Sequence, residues 1–151
     1  MAQITEHVFR KSLNKYRETM WFLKLQVLPM TFTKSPADFL ILTENYRYLT
    51  EVKEIDCRYV KKAFRFDRVT QLKELQKFEK APGRNKSYIL IMFRYRMLKD
   101  SYAFMIPVNK FVSFKHALEK KSGNLSDFME AFEDNRLSTK KSMFNLGKWL
   151  E

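Results

Sequence analysis

The stretch S-P-A-D-F-L-I-L-T-E-N-Y-R-Y-L-T-E-V-K-E, which runs from Ser35 to Glu54, decides the fold of this chain. It contains two runs of apolar, β-branched and aromatic residues, 38–43 and 46–53, and such runs are typical of strands. The Glu44-Asn45 pair between them supplies a turn, because asparagine tolerates left-handed backbone angles. The stretch therefore predicts a β-hairpin.

The hairpin brings charged side chains to one end of a small sheet. Asp38 begins the first strand and Glu51 lies near the end of the second, so strand pairing places the two carboxylates side by side. Lys53 shares a strand face with Glu51, because strand side chains repeat every second residue. Mg²⁺ prefers oxygen ligands, and a nearby lysine can stabilise charge during metal-assisted phosphodiester hydrolysis. The alternative is a solvated aspartate beside a surface Glu–Lys pair.

Composition narrows the class of protein. The chain has 151 residues, enough for one domain with a sizeable core, and 45% of them are hydrophobic. Its net charge is +12, which indicates a polyanionic partner, either a nucleic acid or an anionic membrane surface. No apolar run reaches the length of a membrane span and no secretory signal pattern is present, so we expect an intracellular DNA or RNA protein with no membrane partner.

Several other chemistries are disfavoured by the residue types that are scarce. The single cysteine, Cys57, cannot form an intramolecular disulfide or a cysteine cluster for zinc. His7 and His116 are too isolated for a histidine metal centre or a catalytic triad. With 3 glycines the chain cannot build a glycine-rich phosphate loop, so we expect no nucleotide cofactor.

The pattern of apolar residues predicts the remaining elements. We expect helices over 3–18, 67–80, 109–121 and 125–132, and strands over 21–28, 87–94 and 100–107. The strand over 87–94 is almost continuously apolar, as in a central strand that is buried on both faces. This order predicts an α/β domain with a mixed central sheet flanked by helices.

We expect residues 1–122 to form the main, functional domain. Residues 123–151 are predicted to be a helical extension or tail of that domain. The apolar residues of this segment allow it to dock either on the domain or on a second subunit.

A basic, aromatic passage follows the hairpin. Its cations can neutralise phosphates, and aromatic rings can stack on exposed bases. We therefore predict nucleic-acid contacts from five cations of this passage and two of the first helix: Arg58, Lys61, Lys62, Arg65, Arg68, Arg10 and Lys11. Phe64 and Phe66, which lie between those cations, are either further contacts or core residues.

Pro36-Ala37-Asp38 followed by Glu51-Val52-Lys53 resembles the P-x-D…E-x-K signature of the restriction-endonuclease-like nuclease superfamily. Over roughly residues 1–112 the chain is similar to Holliday-junction resolvases of the RecU and archaeal Hjc type, including phage-encoded relatives. The resemblance implies a restriction-endonuclease-like fold. It also implies that Asp38, Glu51 and the carbonyl of Val52 bind Mg²⁺, with Mn²⁺ as a possible substitute, and that Lys53 orients the attacking water or stabilises developing charge.

The resemblance assigns supporting roles to three more residues. A glutamate of the first helix approaches the metal in the resembled resolvases, and Glu6 matches it, although Glu18 competes and Glu6 alternatively complements the helix dipole. Gln71 matches a glutamine that points at the catalytic strand, but RecU-type proteins place a histidine beside it, which this chain lacks. The alternative for Gln71 is an exposed helix residue. Ser35 matches a hydroxyl residue that bonds water or phosphate, or is an ordinary turn serine.

The residues and the resemblance together predict a Mg²⁺-dependent, structure-specific endodeoxyribonuclease that resolves four-way DNA junctions by paired symmetric cuts. Because such a junction has two symmetric strands to cut, we expect a homodimer. We expect the protein in the cytoplasm of a bacterium or of a phage-infected host. The alternatives are another DNA nuclease of the superfamily, of nicking, flap or restriction type, and a non-catalytic DNA-binding protein on the same fold.

Overall fold

The computed structural model of the protein describes residues 4–25 and 37–150. In these residues the helices are α1 (Ile4–Asn14), α2 (Leu72–Lys80), α3 (Val108–Leu118) and α4 (Leu125–Phe132). The strands are β1 (Met20–Lys24), β2 (Phe39–Thr43), β3 (Arg47–Asp56), β4 (Phe64–Arg65), β5 (Asn85–Arg94), β6 (Tyr102–Pro107), β7 (Ser122–Gly123), β8 (Arg136–Leu137), β9 (Thr139–Lys140) and β10 (Met143–Phe144). Short 3₁₀ turns occupy Phe66–Arg68, Leu98–Asp100 and Glu133–Asn135.

A six-stranded sheet with the order β1-β2-β3-β5-β6-β8 organises the described residues. β3 and β5 pair in parallel, and every other neighbouring pair is antiparallel. The parallel pair needs a crossover connection, which α2 supplies. The predicted hairpin is β2 and β3, and the predicted class, an α/β domain with a mixed central sheet flanked by helices, is confirmed.

The sheet separates two hydrophobic layers. On one side, which we call the α1 face, Phe9 of α1 packs in a cluster with Val52 of β3. On the other side, the α2 face, Leu75 of α2 and Phe128 of α4 pack in a cluster with Ile91 of β5. Because successive β5 side chains supply both clusters, this strand is buried on both faces, as its continuous apolar run predicts.

Several predicted boundaries differ from the structure. The strand predicted over 100–107 begins at Tyr102, because Leu98–Asp100 form a 3₁₀ turn, and the strand predicted over 87–94 begins at Asn85. The helix predicted over 3–18 ends at Asn14, because residues 15–19 fold into turns whose backbone bonds return to Leu13 and Tyr16. The strand predicted over 21–28 begins at Met20, and residues 26–28 lie outside the described part. The helix predicted over 109–121 ends at Leu118, because Glu119 adopts a left-handed backbone with φ of 52°.

Phe64 and Phe66 are core residues, so the alternative in which they contact nucleic acid is wrong. They are 0% and 2% exposed, and their rings pack edge-on against Phe111. This packing also explains why the helix predicted over 67–80 is divided. Phe66 is anchored in the core as part of a separate 3₁₀ turn, Val69 leaves helical backbone angles, and α2 begins only at Leu72.

The C-terminal segment packs on the domain itself. β8 extends the sheet beside β6, and the side-chain hydroxyl of Ser12 in α1 accepts a hydrogen bond of 2.9 Å from the backbone N–H of Phe144. Leu146 is fully buried, and the ring of Trp149 packs edge-on against that of Tyr88. Residues 136–150 therefore complete the α1 face and one edge of the sheet, whereas α4 packs on the α2 face. No helix in the described part is long and apolar enough to cross a membrane.

Replacing Phe128 by alanine should destabilise the protein by about 3–5 kcal/mol, the usual cost of emptying a buried phenylalanine site. Phe128 is fully buried, and its ring contacts those of Phe93 and Phe114. Denaturant titration measures the change in the free energy of unfolding. The control Tyr59→Ala removes a ring that is 78% exposed and should change stability by less than about 0.5 kcal/mol. Equal losses in both variants would contradict the placement of Phe128 in the core.

Candidate active site

The β2–β3 hairpin places Asp38 beside Glu51. Phe39 pairs with Thr50, and the backbone N–H of Asp38 donates to the carbonyl of Thr50 over 3.1 Å, so the pairing continues one residue beyond β2. The Asp38 carboxylate accepts a hydrogen bond of 2.7 Å from the backbone N–H of Val52. This bond holds the carboxylate against the strand that carries Glu51.

Glu51 combines deep burial with an incomplete set of partners. Its side chain is 2% exposed, and its Oε1 lies 3.0 Å from the Nζ of Lys53. Its Oε2 is buried and has no hydrogen-bond partner in the described structure. Burial and, after it, the neighbouring Asp38 carboxylate raise the pKa of Glu51, Lys53 opposes the rise, and the net result is a pKa of about 7. The site therefore holds more negative charge than its one contacting lysine balances.

Asp38 is influenced by a second charged pair next to it. Burial raises the pKa of Asp38 and the N–H of Val52 lowers it, while Glu6 raises it and both Lys53 and Lys24 lower it. Lys24, the last residue of β1, forms an ion pair with Glu6 in which Nζ lies 2.6 Å from Oε2. Three carboxylates and two lysines thus cluster at this end of the hairpin.

Glu54 fixes the start of α1 beside this cluster. From the α1 face of β3, its Oε1 accepts hydrogen bonds from the backbone N–H and the hydroxyl of Thr5, over 3.2 and 2.7 Å. Its Oε2 lies 3.5 Å from a guanidinium nitrogen of Arg94. Glu54 thus satisfies an N–H that the first turn of a helix leaves without an internal partner. The bonds hold Glu6, the next residue, over the end of the sheet.

The donor set of the cluster suits a hard divalent cation. Mg²⁺ is usually held by one or two carboxylates, with waters and substrate phosphate oxygens completing six-fold coordination. Asp38 and Glu51 supply two carboxylates, and the Oε2 of Glu51 is buried without a partner, as expected of a ligand atom. Among residues 4–25 and 37–150 no group of three or more His, Cys, Asp or Glu is placed to enclose a metal. Solvent and substrate would therefore complete the coordination, and the carbonyl of Val52 stays a predicted ligand.

The other residues predicted to support the site are placed differently. Gln71 precedes α2, where its Oε1 accepts a hydrogen bond of 3.0 Å from the hydroxyl of Thr70, so its role at the site stays a prediction. Ser35 lies outside the described residues. Glu18 is exposed in the turn after α1, at the opposite end of the helix from the cluster. Of the two competing glutamates, Glu6 is the one beside the carboxylates.

Two of the cations predicted to contact nucleic acid are paired with carboxylates. The guanidinium of Arg58 makes bonds of 2.7–3.2 Å to both oxygens of Asp56, and this contact holds the pKa of Asp56 below its usual range. Arg65 lies 2.8 Å from Asp67 on the surface. Part of the positive charge of the passage is therefore balanced within the protein.

The remaining predicted cations are more available to a partner. Lys61 and Lys62 are exposed and form no ion pair with a described residue. Arg68 lies over the ring of a core phenylalanine at 5.3 Å. Arg10 and Lys11 are exposed on α1, and thus belong to the α1 face, whereas the basic passage joins the α2 face. The structure therefore distributes the predicted contacts over both sides of the sheet.

The sequence alone did not identify Lys24, which belongs to the cluster, or Glu54, which holds α1 beside it. Lys24 is paired with Phe39 in the β1–β2 register, which places it next to Asp38. Knowledge of the β1–β2 register would have revealed Lys24, but the sequence between these two strands does not determine how they pair. Glu54 follows Lys53 on the opposite strand face, and only the docking of α1 gives it a partner.

Neither a family model nor a curated protein matches the chain. Among solved structures the chain is similar to Hjc, a Holliday junction resolvase from the archaeal hyperthermophile Archaeoglobus fulgidus, with 13% sequence identity and a TM-score of 0.44. The match covers 72% of this chain and 75% of that chain. A likeness of this degree does not establish a function.

Metal-free protein should lose stability as the pH rises through about 7. The folded state retains a proton on Glu51 at pH values where the unfolded chain, with the ordinary glutamate pKa of 4.5, has already released it. Unfolding therefore releases a proton, and a higher pH favours unfolding by an amount on the order of 2 kcal/mol. Thermal denaturation with a chelator, from about pH 5 to about pH 8, measures the effect.

Two glutamine variants control this experiment. Glu51→Gln removes the titrating carboxyl, so its Tm should vary less with pH than that of the wild type. Glu44→Gln changes an exposed glutamate in the turn of the same hairpin and should follow the wild type. A wild-type Tm that stays level across this range, or an equal decline in Glu51→Gln, would contradict the raised pKa.

Proposed function

We propose that this protein is a metal-dependent endodeoxyribonuclease that acts inside the cell on four-way DNA junctions. The observation that carries the proposal is the pairing of the half-buried Asp38 carboxylate with the buried Glu51 carboxylate, beside the ammonium of Lys53. The desolvation and mutual repulsion of these carboxylates cost stability. Such an arrangement supports a site for a cation and a phosphate, because strongly perturbed pKa values cluster at functional sites.

Each side chain of the cluster would have a distinct role in phosphodiester hydrolysis. Asp38 and Glu51 would hold one Mg²⁺ or Mn²⁺, with the carbonyl of Val52 as a third ligand. When bound, the cation would neutralise the carboxylates and act as a Lewis acid toward the scissile phosphate. Lys53, whose side chain is 20% exposed, can then turn its ammonium to the attacking water or to the charge that develops on phosphorus.

Glu6 and Lys24 would support these groups from the side of α1. Their ion pair sets the local charge felt by Asp38, and the bonds between Glu54 and Thr5 hold the helix in place. We assign Glu6 a positioning role rather than a direct ligand role, because Lys24 occupies its carboxylate at 2.6 Å. Gln71 and Ser35 remain candidates for orienting water or phosphate.

DNA is the substrate that the charge of the protein favours. The net charge of +12 and the exposed cations of the basic passage support attraction to the phosphate backbone. Contacts of this kind position a nucleic acid without reading its sequence, which suits recognition of a branched shape. A junction has two symmetric strands to cut, and a homodimer would present one site to each.

An apolar surface is available for the homodimer contact. Trp21 and Leu23 are 52% and 47% exposed on β1, which is the edge strand of the sheet in the described part. Large apolar side chains at an exposed strand edge are suited to contact with another chain. We therefore place the dimer contact near this edge, adjacent to the end of β1 that carries Lys24.

The decisive test is cleavage of a labelled immobile four-way junction in Mg²⁺, with a linear duplex of matched sequence beside it. The wild type should make paired, symmetric nicks in the junction. Asp38→Asn and Glu51→Gln should each lower the rate at least about 100-fold, more than is usual for loss of an outer-sphere group. Both variants should still bind the junction, since removal of negative charge reduces repulsion of the phosphates.

The control for these variants is Glu44→Gln, which removes an equal charge at the exposed turn of the same hairpin and should cleave as the wild type does. Equal cutting of junction and duplex would show that the protein is a general nuclease without junction specificity. Binding without cleavage in either Mg²⁺ or Mn²⁺ would contradict the proposed enzymatic activity and indicate a non-catalytic DNA-binding protein. If Asp38→Asn lost binding as well as cleavage, Asp38 would be a structural residue.

A further inference from the structure

A cavity of about 640 Å³ opens between loop 58–63, the adjoining ends of β5 and β6, and the start of α4. Tyr95 follows β5 directly and Tyr102 is the first residue of β6, and both rings line the cavity together with Leu125 and Met129 of α4. All four side chains are partly exposed. The volume lies within the range of about 300–1,000 Å³ that is usual for small-molecule sites. We call this space the Tyr95 cavity.

The lining of the Tyr95 cavity favours a flat, partly apolar ligand. The rings of Tyr95 and Tyr102 are 6.2 Å apart and nearly perpendicular, at 78°. An incoming ring can therefore stack on one tyrosine while it meets the other at an edge. Asn124 and Ser126, at the start of α4, add an amide and a hydroxyl to the lining. The Oδ1 of Asn124 already accepts hydrogen bonds from the N–H of Asp127 and the hydroxyl of Ser126. The amide N–H groups of Asn124 and the lone pairs of the Ser126 oxygen are therefore the groups that can bond to the polar edge of a heterocycle.

The lining of the cavity includes two cations. Lys61 and Lys62 line it, are exposed, and form no ion pair with any residue of the described ranges. The same loop exposes the side chains of Tyr59 and Val60, by 78% and 64%. Cations next to exposed apolar groups are the combination with which proteins hold single-stranded nucleic acid, through phosphates and bases together.

The cavity also lies along the strand that carries the carboxylate cluster. Loop 58–63 follows β3, which contains Glu51 and Lys53 and ends at Asp56. At about 3.3 Å per strand residue, the start of the loop is at most about 17 Å from Lys53 along the chain. One DNA strand of a few nucleotides can span this distance.

We propose that the Tyr95 cavity binds the base of an unpaired nucleotide, with the adjacent phosphates held by Lys61 and Lys62. This inference rests on the proposed function, in which DNA is the substrate, and it adds a feature to that substrate: a nucleotide that has left the base stack near the branch. Stacking on the tyrosines replaces the lost stacking within DNA. Because every base has an aromatic face, the site would tolerate any sequence.

Fluorescence anisotropy tests this directly, with a chelator present so that no strand is cut. The probes are a labelled oligothymidine of about eight nucleotides and an abasic strand of equal length and charge. The wild type should bind the oligothymidine about tenfold more tightly, the effect of one stacked base. Ser126→Trp, which fills the cavity from an exposed position, should abolish this preference.

Paired lysine variants separate the contribution of charge from that of the base. Lys61→Ala/Lys62→Ala should weaken binding of both strands by a similar factor. Lys140→Ala/Lys141→Ala removes two exposed lysines from the segment that packs with α1, and it should retain the preference for the strand with bases. Retention of the preference in Ser126→Trp, with native circular dichroism, would overturn the proposal.

A wild-type measurement covers the case in which the tryptophan variant fails to fold. In protein labelled at its methionine methyl groups, the NMR signal of Met129 should shift with oligothymidine and stay in place with the abasic strand. Equal affinity for the two strands with an unmoved Met129 signal overturns the cavity assignment even if junctions are cleaved. Conversely, base-dependent binding without cleavage in Mg²⁺ upholds the cavity and rejects the nuclease.

Discussion

The pairing of β2 with β3 forces two carboxylates into contact, and the rest of the site depends on this constraint. The register that joins Phe39 to Thr50 leaves Asp38 no position except beside Glu51. Burial disfavours the charge on both groups, and the Asp38 carboxylate further raises the pKa of Glu51. A protein gains nothing in stability from such a pair, because hydrophobic residues of similar volume would pack there at lower cost. Under the proposed function, a bound cation would balance this charge.

The surrounding fold keeps this unfavourable pair in place. β3 is held along its full length by parallel pairing with β5, which is buried on both faces, so Glu51 cannot move away from Asp38 without breaking the centre of the sheet. The hydrogen bond from Val52 fixes the second carboxylate. On the opposite face, Glu54 ties the first turn of α1 to the same strand. Three residues of β3 thus have different tasks. Glu51 belongs to the site, Val52 fixes Asp38 through its backbone N–H, and Glu54 holds α1 against the strand.

Much of the fold and the centre of the site could be predicted from sequence because both are local. A hairpin needs only two strand-forming runs and a turn, and its geometry sets Asp38 next to Glu51 whatever the rest of the chain does. The continuous apolar run of β5 likewise identifies a central strand. Phe64 and Phe66 were ambiguous, because alternation of cations and aromatic rings describes both a DNA-binding surface and a strand entering a core. Only the packing of α3 and α4 decides between these.

The contacts that could not be predicted are those between distant segments. Lys24 reaches the site through the register of β1, and the Tyr95 cavity forms where a loop, two strand ends and α4 meet. Neither has a signature within a short window of sequence. The division of the helix predicted over 67–80 has the same origin, since burial of Phe66 overrides a helical pattern. Local periodicity predicts which helices and strands form, and tertiary packing decides where each one begins.

The central claim, that Asp38 and Glu51 together form a divalent-cation site, is tested most directly by calorimetric titration of the protein with Mg²⁺, and with Mn²⁺ in parallel. The wild type and Glu44→Gln should each bind one ion per chain. Asp38→Asn and Glu51→Gln should each lose at least about tenfold in affinity. Wild-type protein that binds neither ion, or variants that bind both ions as the wild type does, would contradict the account.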